Sequence, residues 1–345
     1  MAPSRVWLRD AVKRGLYSAG AHSISRRFCR RGSAVILRYP SVTADGESPS
    51  AYLDPERSVS TATFDRQMKF LRKRYTPVSL GHILEAILEG RPLPSLAVAV
   101  TFDDGDRDTY VGAFPVLKKY GIPATFYITA ECVNDGTLPW TSRLRHYFMA
   151  TRERALTLDA PEPRVLDLTS PESRNRSFAI TIARIGSAGT PRGDDMFRDV
   201  ASKLRGTNLP PLRDTMMSWA QIREMSRAGM MIGARTLSHP QLPGLPPEEA
   251  EAEIGRSKTL IEDKTQVPVL HFAYPNGHGV SPFDESLKRM VRKAGFLSSV
   301  TSIDGAVRRG DDLFTLRRLG VRREPSSTFR LALDTERTRL DRARP

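Results

Sequence analysis

The residues best placed to do chemistry are two adjacent carboxylates. Asp103 and Asp104 close the run Leu96-Ala97-Val98-Ala99-Val100-Thr101-Phe102 and precede Gly105. An unbroken apolar run of this length is the pattern of a strand buried on both faces. Side chains alternate along a strand, so the two acids point in opposite directions while it stays regular. Gly105 permits a sharp turn just beyond them, which brings both into one site. Two acids at a buried strand end need a cation, a proton or hydrogen bonds to offset desolvation. The plainer reading is a polar strand end whose Asp caps the next helix. Arg235, His239, Tyr274, Pro275, Asn276 and His278 follow two later apolar runs and join the candidate list.

Those acids are positioned by a repeating beat of strand, helix, glycine, strand. Strands are expected at about 34–39, 96–102, 122–128, 230–233, 269–274, 296–300 and 316–321. Between them, a helix with Thr63 as N-cap carries Phe64, Met68, Phe70 and Leu71. A second helix, about 80–89, ends at Gly90, and Tyr110–Tyr120 has helical spacing with Gly121 as its stop. Residues 41–60 read as a loop. Ser218 and Gln221 form a capping box for a helix ending before Gly229. Pro246 and Pro247 open another through about Lys264, and Phe283–Ala294 stops at Gly295. Parallel strands joined by right-handed helical crossovers make an α/β fold that closes into a barrel-like sheet. Chemistry in such folds gathers at the C-terminal strand ends, where Asp103, Asp104, Arg235, His239, Tyr274 and Asn276 all fall.

The beat breaks at about 135–215, a segment rich in Arg, Pro, Ser and Asp. It reads as an insertion, partly helical, over one end of the barrel. The domain organisation is a basic segment at 1–32, a catalytic-type domain at 33–323 and a basic tail at 324–345. Residues 1–31 alternate Trp7, Leu8, Val12, Leu16 and Tyr17 with basic residues, which suits either an anionic membrane surface or a solvated leader helix.

The chain has 345 residues, 39% hydrophobic and 27% charged, values of a globular protein that can bury a large core. Cys29 and Cys132 make neither a disulfide framework nor a metal cluster. A net charge of +14 suits an anionic partner, but no nucleic-acid-binding motif accompanies it, so no nucleic acid is expected. Neither a signal peptide nor a membrane-spanning run is seen, which places the chain in the cytoplasm or at the inner membrane face.

Three ordered motifs carry a family resemblance: Thr101-Phe102-Asp103-Asp104-Gly105; Ile232-Gly233 with Thr236 and Ser238-His239-Pro240; and Phe272-Ala273-Tyr274-Pro275-Asn276-Gly277. Together, and over about residues 33–322, they resemble the polysaccharide deacetylase family (NodB homology domain, carbohydrate esterase family 4). The resemblance implies a distorted seven-stranded (β/α) barrel, with the insertion between its third and fourth strands. It also implies metal-assisted water attack on the N-acetyl amide of an amino-sugar polymer or glycolipid. Asp103 would be the general base. Asp104 would bind a divalent metal, most often zinc, with two histidines spaced His-x-x-x-His. The backbone N–H of Asn276, beside Tyr274 and Pro275, would help hold the oxyanion.

Two positions depart from that pattern. The first metal-ligand histidine is replaced by Arg235, and the histidine that usually follows the first strand's Tyr is Pro40. A guanidinium stays protonated and cannot ligate zinc. The expectation is that Arg235 stands in as the cation beside Asp104, leaving His239 as the remaining motif histidine and His278 as a weak substitute ligand. The alternative function is a catalytically impaired relative that binds a glycan or a protein partner through the old cleft.

Overall fold

The computed structural model describes residues 33–45, 52–56, 58–159, 162–188, 192–206, 209, 212, 214–275, 281, 283–323 and 328–335. The expected membrane-facing segment 1–31, and with it Asn276 and His278, lie outside the described residues.

In chain order the strands are β1 (Ser33–Tyr39), β2 (Ser41–Thr43), β3 (Ser58–Ser60), β4 (Thr76–Pro77), β5 (Ala97–Phe102), β6 (Ala124–Ile128) and β7 (Ala155–Leu158). They continue with β8 (Arg164–Asp167), β9 (Met231–Ala234), β10 (His271–Ala273), β11 (Ser298–Val300), β12 (Val307–Arg308) and β13 (Leu319–Gly320). The α-helices are α1 (Thr61–Arg74), α2 (Leu80–Leu88), α3 (Phe114–Tyr120), α4 (Ala130–Asp135) and α5 (Trp140–Ala150). After them come α6 (Pro171–Ala188), α7 (Arg192–Lys203), α8 (Trp219–Arg227), α9 (Pro247–Thr265) and α10 (Glu285–Lys293).

The main sheet runs β11-β10-β9-β6-β5-β1, all parallel, with antiparallel β12 beyond β1 and β4 alongside β5. Leu316 bridges Val300 of β11, while Leu319 and Gly320 pair with Leu37 and Arg38 of β1. The last strand therefore touches both edges and closes the curl. The seven expected barrel strands are β1, β5, β6, β9, β10, β11 and β13, with the insertion between β6 and β9.

Alternation along the strands decides what lies inside. In β5, Val98, Val100 and Phe102 pack outward under the helices, while Ala97 and Ala99 face a smaller inner cluster with Ala34, Ile36 and Tyr127. Small residues are needed there because the curled interior is narrow. Gly233 of β9 shows how narrow: a Cβ at that position would sit 2.5 Å from the Tyr127 ring. The insertion builds a core of its own, with Leu144 and Phe148 of α5 against Leu156, Leu166, Ile185 and Val200.

The structure departs from the sequence reading in four places. Ser60, not Thr63, caps α1, its Oγ accepting from the Thr63 N–H at 3.3 Å. The expected loop at 41–60 contains the parallel pair β2–β3, two three-residue strands too short to show a period. The helix expected over 110–120 begins as a π-helical turn, Thr109–Ala113, before α3. That wider turn presses Gly112 on β2, where an added Cβ would meet the Val42 carbonyl at 2.3 Å. Finally, residues 328–335 of the basic tail are helical. Phe329 and Leu333 enter the main core, and the Tyr75 hydroxyl donates to Asp334 at 2.8 Å. Two apolar residues four apart, one helical turn, were hidden by the basic composition around them.

Leu333→Ala should lower stability by about 2–5 kcal/mol, the cost of emptying a buried leucine site. Urea unfolding measures it, and a change below about 0.5 kcal/mol would remove the tail from the folded domain. A pH effect follows from His271, which is buried in β10 with Nδ1 2.8 Å from the Ser298 hydroxyl. Burial pushes its imidazole down to about 4. The unfolded chain binds that proton near pH 6.5, so the stabilisation is complete above that value and is lost as pH falls towards 4. The linked change is about 3 kcal/mol. His271→Gln should flatten the difference between urea midpoints measured at pH 7 and pH 4.5, and an unaltered difference would assign the slope to other groups.

Candidate active site

Parity carries the inner face of β5 past its end. Ala97, Ala99 and Thr101 face inward, and Asp103 follows them into the barrel mouth, only 5% exposed. The turn then starts one residue earlier than glycine alone would require. Asp104 itself takes a left-handed backbone, φ +71°, with Gly105 at +90°. Asp104 is thereby swung back beside Asp103 instead of pointing away, at a cost for a non-glycine residue that is typical of functional sites.

Arg235 follows β9 in the same way. Its side chain is 2% exposed and lies between the two acids. Nη1 donates to Asp103 Oδ2 at 3.1 Å and to the Tyr274 carbonyl at 3.1 Å. Nε stands 2.6 Å from Asp104 Oδ1, an ionic contact without hydrogen-bond alignment. Arg318 grips Asp103 from the other side, with Nη1 on Oδ1 at 2.7 Å and Nη2 on Oδ2 at 2.9 Å. Its Nε donates to the Thr301 carbonyl, and its guanidinium lies over the Tyr127 ring. Burial opposes the charge on Asp103, but Arg235 and Arg318 outweigh it and hold the carboxyl well below the usual range.

His239 reaches the same mouth on a strained loop, with Thr236 at φ +61° and His239 at +68°. Trp140 Nε1 donates to the His239 carbonyl at 3.1 Å, and the His239 N–H donates to Thr236 Oγ1. Glu253 of α9 accepts the Leu237 and Ser238 N–H groups. His239 Nε2 lies 3.4 Å from Asp104 Oδ1, and burial pushes its imidazole down to about 4, so it is neutral at pH 7.

These groups floor a cleft of about 400 Å³, lined by Arg38, Pro40, Asp103, Asp104, Arg235 and His239 among others. Arg145 and Ile182 of the insertion form part of its wall. Asp106 lines it too, 5% exposed, with Oδ1 lacking a hydrogen-bond partner among the described residues. Burial and the neighbouring Asp108 and Asp104 push its carboxyl up, towards the neutral form. Asp103, Asp104, Arg235, His239 and Pro40 are thus brought together. Tyr274 contributes only its carbonyl, because its ring packs on Phe272 and Phe283, and neither Tyr274 nor Pro275 lines the cleft. Arg318, Arg38 and Asp106 were missed by the sequence reading. Arg318 stands beside Arg317 in the expected strand from Leu316 to Val321, and the sequence carries no sign of which of the two is buried.

The donor set among the described residues does not fit a divalent metal. Among the described residues no three His, Cys, Asp or Glu side chains are grouped as ligands, and the space between Asp104 and Asp103 holds a guanidinium. A fixed cation already offsets both acids.

Residues 90–298 match the family described as Polysaccharide deacetylase. The chain is 21% identical over 259 residues to a Bacillus subtilis (strain 168) protein named "Putative polysaccharide deacetylase YxkH", covering 75% of this chain and 63% of that protein. Over 70 residues it is 43% identical to the poly-beta-1,6-N-acetyl-D-glucosamine N-deacetylase of Escherichia coli (strain K12), which is 20% of this chain and 10% of that one. The chain therefore spans less than two thirds of the length of either relative. In fold it is similar to the Streptococcus pyogenes deacetylase PplD in complex with acetate, with TM-score 0.58, 19% identity, and 88% and 98% of the two chains covered. It is also similar to IcaB from Ammonifex degensii, with TM-score 0.55, 20% identity, and 88% and 97% covered.

Arg235→Ala should destabilise the protein by about 3–5 kcal/mol, because it leaves two carboxylates at the cleft floor without their shared cation. Urea unfolding reads this directly. A loss below about 1 kcal/mol would mean that the acids are balanced some other way.

Proposed function

The chain belongs to the polysaccharide deacetylase family, and from that premise we propose that it is a carbohydrate N-deacetylase. In this reading it hydrolyses the acetamide of an amino sugar in a polymer or glycolipid. The observation that carries it is the convergence of Asp103, Asp104 and His239 at the floor of one cleft, at the C-terminal ends of the barrel strands.

Water adds to the acetyl carbon, the C–N bond breaks, and acetate and a free amine leave. Asp103 is the carboxylate that takes the water's proton. Its two guanidinium partners keep it ionised throughout the physiological range, which makes it always available and only weakly basic. Arg235, which lines the cleft, is the cation facing the carbonyl oxygen as charge develops on it. His239, neutral and beside Asp104, can accept a hydrogen bond from the sugar. Asp106, on the wall, can donate one.

A second reading is favoured by one observation. Both acids are already engaged by Arg235, so the cleft can hold an N-acetylated saccharide without turning it over.

Incubation with N-acetylated glucosamine oligomers, with and without a chelator, separates the two. On the hydrolytic reading the wild type releases acetate, chelator leaves the rate unchanged, and Asp103→Asn lowers it by about 100-fold or more. Saturable oligomer binding with no acetate release would assign the binding reading instead.

A further inference from the structure

The loop at 235–240, which carries His239 into the cleft, has a second side. Behind it lies a cavity of about 450 Å³, walled by Ser238 and Pro240 of the loop, Trp140 and Arg143 of α5, and Glu253 of α9. Glu253 lines that cavity, whereas His239 lines the cleft. We infer that Glu253 is the positioning residue for His239, holding its imidazole beside Asp104 from behind the loop. What this does for the substrate rests on the saccharide reading of the cleft; the hold itself rests on hydrogen bonds.

The loop is strained at two residues, Thr236 at φ +61° and His239 at +68°, in a region disfavoured for any side chain with a Cβ. Between them stand Leu237 and Ser238, and both of their backbone N–H groups donate to Glu253 Oε2 at 2.9 Å. The Ser238 hydroxyl donates to Oε1 at 2.7 Å. A carboxylate has acceptor sites for all three donors, and hydrogen bonds to a charged acceptor are the stronger kind. Ala250 and Ile254 of α9 pack in the main core, which fixes the rotation of the helix and turns Glu253 towards the loop.

The other holds on this stretch take its carbonyls. The Ala130 and Glu131 N–H groups donate to the Thr236 and Leu237 carbonyls, and the Trp140 indole donates to that of His239. Without Glu253 the N–H side of the turn is released where the backbone is strained. The turn then relaxes and carries the imidazole away from Asp104, whose Oδ1 lies 3.4 Å from His239 Nε2.

Carbethoxylation with diethyl pyrocarbonate, mapped by peptide mass spectrometry, reads the position of His239 without any saccharide. His239 is 4% exposed and His271 2%, so both resist the reagent in the wild type, while exposed His82 reports its dose. Glu253→Ala should speed labelling of His239 at least 10-fold and leave His271 protected. Glu253→Gln keeps one acceptor oxygen for the two N–H groups and should stay close to the wild type. Unchanged labelling of His239 in Glu253→Ala would overturn the inference, as would an equal rise at His271, the mark of general loosening. Affinity for N,N′,N″-triacetylchitotriose is then measured on the same proteins. Glu253→Ala should weaken it about as much as His239→Ala, and the double variant no further than either. Additive losses would also overturn the inference. A wild type that binds no oligomer would sink the saccharide reading of the cleft, and the labelling would still decide the hold.

Discussion

Asp103 between two arginines is the interaction on which the barrel mouth depends. A carboxylate 5% exposed at the end of a fully buried strand is tolerable only if its charge is met by groups that are themselves fixed. Arg318 comes from the closing strand, Arg235 from β9 and Asp103 from β5, so three separated barrel segments are tied through one side chain. Arg235 extends the tie to Asp104 and the Tyr274 carbonyl. The cluster has two positive and two negative groups. It is neutral as a whole, which lets it stay in a narrow, mostly apolar interior.

That arrangement also settles the character of the cleft floor. A bound ion can leave, exchange or be chelated, whereas a guanidinium is part of the chain and stays charged at any working pH. The neighbouring imidazole of His239, pushed down to about 4, stays uncharged because burial disfavours its charged form, with the Arg235 charge adding to that and Asp104 opposing it. The left-handed backbones at Asp104, Thr236 and His239 store strain at the same mouth. They hold polar groups against one another where a relaxed chain would let them separate.

The barrel was legible because its strands are apolar runs with glycine stops at Gly121, Gly229 and Gly295, signals set by local backbone chemistry. Asp103 and Asp104 were legible because charges interrupt such a run. Arg318 was not: it lies among Arg308, Arg309, Arg317, Arg322 and Arg323, and nothing in spacing alone separates a buried arginine from solvated ones. Asp106 was hidden for a different reason. Its burial comes from pairing with Met216, more than a hundred residues later in the chain. The insertion was recognisable as an interruption but not as a structure. Its core is assembled from short pieces, such as the four-residue alternation of β7, each too brief to show a period.

The insertion matters because one pair of helices walls two cavities. On α5, Thr141, Ser142 and Arg145 face the cleft while Trp140 and Arg143 face the cavity behind it. On α6, Phe178, Ala179, Ile182 and Ala183 line the cleft, and Ile185 and Gly186 line the other side. A helix advances about 100° per residue, so a single helix can present different side chains to two spaces. Trp140 links them: its ring lines the rear cavity, and its indole N–H holds the His239 carbonyl. Any displacement of α5 relative to the barrel therefore acts on the shape of both spaces and on the position of His239 together. The barrel supplies the charged floor, and the insertion supplies part of the wall that stands over it.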